Sequence, residues 1–233
     1  MRINSDGPGI IPSEEYYTCR YSTLREPLGF PRGAEVLKDD DRAIHAWTSV
    51  NDEIVAVGRS HLIPVGNNGS QADYIGPDAP ICPDFTPLTS GGFRPAIQIR
   101  QMGTKSQHRF RGYAAEVLSE LEKKSIEIFS AQYGFLQART PAIPFYRSQG
   151  WEIIDELFEI PGIGPHRSMM KKLSWSVLSR LWNSKRVGAN GRGNTGFPRP
   201  TRGKRWIWRN SQTETKKYWI RQLRGHSRLN LVV

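Results

Sequence analysis

Cysteine is scarce: Cys19 and Cys82 are the only two in 233 residues. Neither stands in a C-x-x-C pair, so a disulfide scaffold is excluded, and no His/Cys cluster has zinc spacing. No run approaches the ~18 apolar residues of a membrane helix. Met1 to Pro12 holds one Arg and no apolar core, so it does not read as a signal peptide. Acids nearly vanish after Leu173. From Ser174 onward there are 14 Lys or Arg against Glu214 alone, a net of +13. The other 19 bases and 21 acids leave residues 1–173 at −2. The whole basic excess therefore sits in the last quarter, and the chain's net charge of +11 describes that quarter only. These absences predict a cytoplasmic protein with reduced thiols, no metal and no membrane partner.

What the chain does have is a helical and strand-like pattern from Ser13 to Leu173. Ser13-Glu14-Glu15 reads as a helix N-terminus, and that helix should stop near Arg25, before Pro27. Residues 43–49 and 53–63 read as strands joined at Asn51-Asp52. Residues 65–94, rich in Gly, Pro, Asn and Ser, form either a substrate-side loop or a disordered one. Residues 96–102 alternate as a strand, with Ile97 and Ile99 on one face and Gln98, Arg100 and Met102 on the other. A helix over 112–132 should bury Ala114, Val117, Leu118, Leu121, Ser125 and Ile128 on one stripe. A short strand over 135–138 follows, and Thr140-Pro141 reads as an N-cap with Pro at the first helical position. Strands at 151–154 and 167–173 complete the sheet. Residues 1–12 are expected to be a flexible, frayed N-terminus. Residues 174–233 are expected to be a separable, largely disordered extension.

Between the strand at 96–102 and the helix at 112–132 lies Arg109-Phe110-Arg111-Gly112-Tyr113-Ala114. A polar turn with bases and a Gly at a helix N-terminus suits a phosphate, because free N–H groups and the helix dipole face the anion there. Gly112 lets the chain approach the ligand, and Arg109 and Arg111 can add charge-assisted hydrogen bonds. Neither G-x-G-x-x-G nor G-x-x-x-x-G-K-[ST] follows a strand, which removes Rossmann and Walker-type sites.

The turn resembles the pyrophosphate-binding signature of the GNAT N-acetyltransferase superfamily, Gln/Arg-x-x-Gly-x-Gly/Ala, with Arg109, Gly112 and Ala114 in register. Residues 142–151 (AIPFYRSQGW) resemble that superfamily's A-x-x-F-Y-x-x-x-G-F segment, with Trp151 for the usual Phe. Residues 164–169 (GPHRSM) are similar to a Gly-x-Pro-His-x-x-Met ending, one residue short. Residues 20–29 resemble the first helix of the same subgroup. The resemblance covers residues 14–173 in the superfamily's order.

It implies an α/β (α+β) fold with a mixed, mostly antiparallel sheet of six or seven strands. Helices flank both faces, and the sheet splays at its fourth and fifth strands. It also implies an N-acetyltransferase domain over 13–173 that transfers an acetyl group from acetyl-CoA to a primary amine by direct attack, the acceptor being a small molecule or a peptide. Tyr146 is then the general acid for the departing thiolate. Met102, Gly103 and Thr104 meet the pantetheine arm through their backbone, and Arg109 to Ala114, with Phe110 and Tyr113 among them, hold the pyrophosphate. Gly103 and Thr104 depart from the usual Met-Ala-Val. Pro141 replaces an Asn that often contacts CoA, and Gln98 and Gln101 stand where a Glu base is often found. The base is therefore sought at His166 first, with Glu159 and His61 as further candidates. Two other classes remain open: a catalytically silent acyl-CoA-binding domain, and a protein whose basic, aromatic extension binds RNA or another polyanion.

Overall fold

The computed structural model describes residues 1–76 and 78–174. In chain order its strands are β1 (Arg2–Asp6), β2 (Ile44–Val50), β3 (Glu53–Ile63), β4 (Gln71–Ala72), β5 (Ile81–Cys82), β6 (Ala96–Thr104), β7 (Tyr133–Arg139), β8 (Glu152–Ile153), β9 (Phe158–Ile160) and β10 (Gly164–Lys172). The helices are α1 (Glu14–Leu24), α2 (Thr86–Thr89), α3 (Tyr113–Phe129) and α4 (Ile143–Ser148). Eight strands form one sheet in the order β1-β2-β3-β6-β7-β10-β8, with β9 also on β10. Every pair is antiparallel except β6 with β7.

Local chemistry explains most of these elements. Ser13 caps α1 by accepting from the Tyr16 N–H. Asn51 (φ 50°) and Asp52 (φ 62°) form the two-residue turn that locks the β2–β3 register. Successive β6 side chains leave opposite faces. Ile97 and Ile99 join Val117, Leu118 and Leu121 of α3 in the main core. Gln98 and Arg100 point the other way, toward α1 and the 65–94 segment, where they meet Gln71 and Asp73. On that face Tyr16, Tyr17 and Cys19 of α1 pack against Ile54 and Val57. Gly103 is where α1 comes closest: a Cβ there would collide with Thr23 Oγ1.

Several expectations need correction. Residues 1–12 are not simply frayed, because β1 lies within them and pairs with β2 along its whole length. Its sequence, RINSD, carries one apolar residue, and an edge strand held by backbone hydrogen bonds needs no more. The sheet consequently has eight strands rather than six or seven. The described residues of the 65–94 segment include paired strands β4 and β5 and the helix α2. Thr140 does not cap a helix: its hydroxyl donates to the Pro165 carbonyl, residues 140–142 form a 3-10 turn, and α4 starts only at Ile143. Ile128 is 40% exposed, and Glu122 is buried on α3 in spite of its charge. The extension from residue 175 lies outside the described residues, as do the expected disorder, separability and polyanion binding.

The Glu122 carboxylate accepts from Lys171 Nζ at 2.7 and 2.8 Å and from the Trp151 indole at 3.0 Å, tying α3 to β10. Breaking one side of such a buried pair costs about 3–5 kcal/mol, since the other charge stays buried. Lys171→Met should therefore lower Tm by roughly 6–20 °C. The double variant Glu122→Gln/Lys171→Met, which keeps an acceptor for the indole, should recover most of that loss in a thermal melt. Equal melting of the two variants would show that the stranded Glu122 charge is not what destabilises Lys171→Met.

Candidate functional site

The site is a wedge in the sheet. β6 pairs with β7 only at Ala96, Ile97 and Gln98, opposite Tyr133, Gly134 and Phe135. Beyond these, β6 stays on β3 while β7 follows β10. A bulge helps to part them: Arg59 pairs with Arg100 but Val57 with Gly103, so Gln101 and Met102 together face Gly58. Gln101 accordingly takes a left-handed conformation (φ 54°). Its Oε1 is buried and has no hydrogen-bond partner among the described residues.

The cleft opened in this way encloses about 150 Å³. The cleft is open to solvent on one side, and its inner space is large enough for a benzene-sized group. One wall is β6 from Gln98 to Met102, the other is β7 from Gln137 to Arg139, and Tyr146 and His166 close it.

Tyr146 is 8% exposed in α4, with its ring edge against Phe145 and Trp151. Its hydroxyl makes no hydrogen bond among the described residues. Burial pushes the phenol's pKa well above its usual value, so it carries its proton at neutral pH. His166 lies on β10, stacked on Phe158. Its Nδ1 is 2.7 Å from the Gly164 carbonyl and donates to it, which leaves the Nε2 lone pair open. Burial lowers its pKa, and the nearby Arg139 adds to this, while the bond to Gly164 opposes it. The imidazole is therefore neutral at pH 7.

The wedge does not gather the other base candidates. Glu159 is exposed on β9, and His61 is buried on β3 beside Gln71. Met102 lines the cleft, whereas Gly103 is buried under α1. Thr104 lines a second hollow with Lys105, Ser106, Arg109 and Thr23. Past β6, a 3-10 turn (Ser106–His108) leads to Arg109, Phe110 (φ 61°), Arg111 and Gly112 (φ 83°). Gly112 occupies the N-cap of α3 with no side-chain cap, and a Cβ built on it meets nothing within 4 Å. The first-turn N–H groups of α3 thus have no capping side chain, and the space where a Gly112 Cβ would stand is open. Phe110 is fully exposed, Arg109 and Arg111 are exposed with Arg109 Nε donating to the Thr104 carbonyl at 3.4 Å, and Tyr113 and Ala114 begin the helix.

No family model matches the chain, and no curated protein sequence does. Solved structures do match. A candidate N-acetyltransferase from Lactobacillus plantarum superposes with a TM-score of 0.52 at 16% identity, over 74% of this chain and 99% of the other. An aminoglycoside 6'-N-acetyltransferase complexed with coenzyme A gives 0.50 at 12%, over 75% and 98%. FeeM, an N-acyl amino acid synthase from uncultured soil microbes, gives 0.50 at 9%, over 74% and 91%. The chain has the GNAT fold. In the GNAT order β1 is the first strand, which is why its position before Ser13 matters, and β6 and β7 are the fourth and fifth strands that part.

The sequence reading missed Arg25, Asp73, Cys82 and Arg139 in the cleft wall. Only Arg100 had a visible signal, as a charge within a strand flanked by isoleucines. Arg25 ends α1 and Asp73 follows a two-residue strand, and no periodicity relates them.

Proposed function

We propose that the protein is an acetyl-CoA-dependent N-acetyltransferase in which a primary amine attacks the thioester directly. The observation that carries this reading is the wedge between β6 and β7, with Tyr146 and His166 in its walls and the uncapped start of α3 following β6. The residues suit the donor. Past Gln98, β6 has no strand beside it on the β7 side, so its backbone at Met102 to Thr104 can pair with an amide-bearing arm. The α3 N-terminus with Arg109 and Arg111 suits a pyrophosphate. Pro141 offers no N–H or side-chain amide, so these groups hold the donor without a contact from that position.

The chemistry follows from the two protonation states. His166 Nε2 accepts a proton from the attacking amine, with Nδ1–H fixed on Gly164. The C–N bond forms as the C–S bond breaks, and the Tyr146 phenol donates its proton to the sulfur. Solvent then returns a proton to Tyr146 and removes one from His166. Neither a metal nor a covalent enzyme intermediate is needed for this balance.

Thiol release from acetyl-CoA over a panel of amines tests the reading, and its pH profile tests His166. The imidazole pKa is depressed below 6.5. Its base form therefore predominates above that pKa, and kcat/KM should fall as pH drops through it. His166→Gln should cost about 10²- to 10⁴-fold and abolish that acid limb. An acid limb that persists unchanged in the variant would remove His166 from the mechanism. Tight acetyl-CoA binding with no thiol release for any amine would leave a silent acyl-CoA-binding domain.

A further inference from the structure

The cleft has a second set of groups that the proton transfers do not use. Asp73, which follows β4 and lines the wall, gives one carboxylate oxygen to each of two guanidiniums. Oδ2 lies 2.5 Å from Arg25 Nη1, and Oδ1 lies 3.3 Å from Arg100 Nη2. Arg25 is 3% exposed and Arg100 9%. Both line the cleft, and so does Arg139. The lining of the cleft thus carries three guanidiniums and one carboxylate, with Arg25 and Arg100 on Asp73 and the exposed Arg139 donating to the Ile163 carbonyl.

The donors are also unevenly used. Arg100 directs its three bonds, to the Ala72 and Asp73 carbonyls and the Asp73 carboxylate, through Nη2 alone. Its Nη1 and Nε make no hydrogen bond to the described residues, and neither is fully buried, so a ligand in the cleft can reach them. Arg25 Nε and Gln98 Nε2, at the bottom of the wedge, are fully buried and unpaired among the described residues. A guanidinium offers five N–H groups, and those of Arg100 that no protein group takes are available to a ligand. An oxyanion is the group that satisfies two of them at once.

We infer that the acceptor is an amine that carries its own carboxylate, with Arg100 holding that carboxylate and Arg25 anchoring Asp73 beside it, while the amine faces His166. The inference rests on the acetyltransferase reading and narrows it to amino acids and similar small amino-carboxylates. Asp73 sets the two guanidiniums in place: it takes both Nη atoms of Arg25 but only Nη2 of Arg100, so Arg100 keeps an unpaired edge.

The test compares amino acids with their α-carboxamides, each rate expressed per free amine so that the different amine basicities cancel. For the best substrates, kcat/KM should favour the acid by about 10- to 100-fold. In Arg100→Met that ratio should collapse to less than about threefold, and Arg100→Lys, which keeps the charge without the fork, should fall between. Calorimetry on the CoA-loaded protein gives an independent readout, with the acid binding more tightly than its amide. If no amine is turned over but the acid still binds preferentially, the acetyltransferase reading fails and the inference about the anion stands. If acid and amide are equal, or the amide is preferred, the inference is overturned whatever the turnover. A preference undiminished in both Arg100 variants would remove Arg100 from the assignment. Should Arg100→Met fail to fold, the Lys variant and the acid–amide comparison in the parent still decide.

Discussion

Gly112→Asp should abolish acetyl-CoA binding, with a loss of more than about 100-fold in Kd by calorimetry. The effect is electrostatic: like charges about 5 Å apart at an effective dielectric near 20 repel by about 3 kcal/mol, more than 100-fold in affinity. Space is not the limit, since nothing lies within 4 Å of a Cβ at this position. Nor is the backbone, since Gly112 has φ 83° and Asp and Asn both tolerate the left-handed region. Gly112→Asn is the control for the charge, because it makes the same backbone demand and brings none. It should stay within about tenfold of the parent. Unchanged affinity in the Asp variant would show that the start of α3 is not where the pyrophosphate sits.

Tyr146→Phe should lower kcat by roughly 10- to 1,000-fold, in keeping with loss of a general acid, and leave acetyl-CoA affinity almost unchanged. The substitution is a clean one. The hydroxyl makes no hydrogen bond among the described residues, while the ring packs against Phe145 and Trp151 and is kept. Thermal stability should therefore hardly move. Burial also keeps the phenol protonated over the whole working pH range, so Tyr146 adds no limb to the pH profile near neutrality. Normal turnover in the Phe variant would make Tyr146 a packing residue, with the thiolate leaving unassisted.

The two variants probe features that were legible to different degrees. Gly112 stands out in the chain because strand, turn and helix succeed one another there with the bases in place. Tyr146 was readable only through its resemblance to a family segment, since an F-Y pair in a helix is otherwise an ordinary core feature. The parting of β6 from β7 was legible only as an implication of that resemblance, because it depends on where pairing stops. Pairing ends after Gln98 and Phe135 through a bulge whose extra residues, Gln101 and Met102, carry no distinctive composition. Arg25 and Asp73 were invisible for a related reason. They are 48 positions apart and meet through an ion pair, which leaves no local periodicity.

By itself the sequence determined the elements whose information is local. The capped start of α1, the Asn51-Asp52 turn, the apolar stripe of α3 and the phosphate-suited turn all follow from propensities and spacing within a few residues. Only the tertiary structure decided the rest. It recruited the polar β1 as the first strand of the sheet, since edge pairing uses backbone groups that every residue has. It selected His166 over His61 and Glu159 for the cleft. It also buried Arg25, Arg100 and Asp73 together, because burial of a charge is settled by partners that the chain brings from far away.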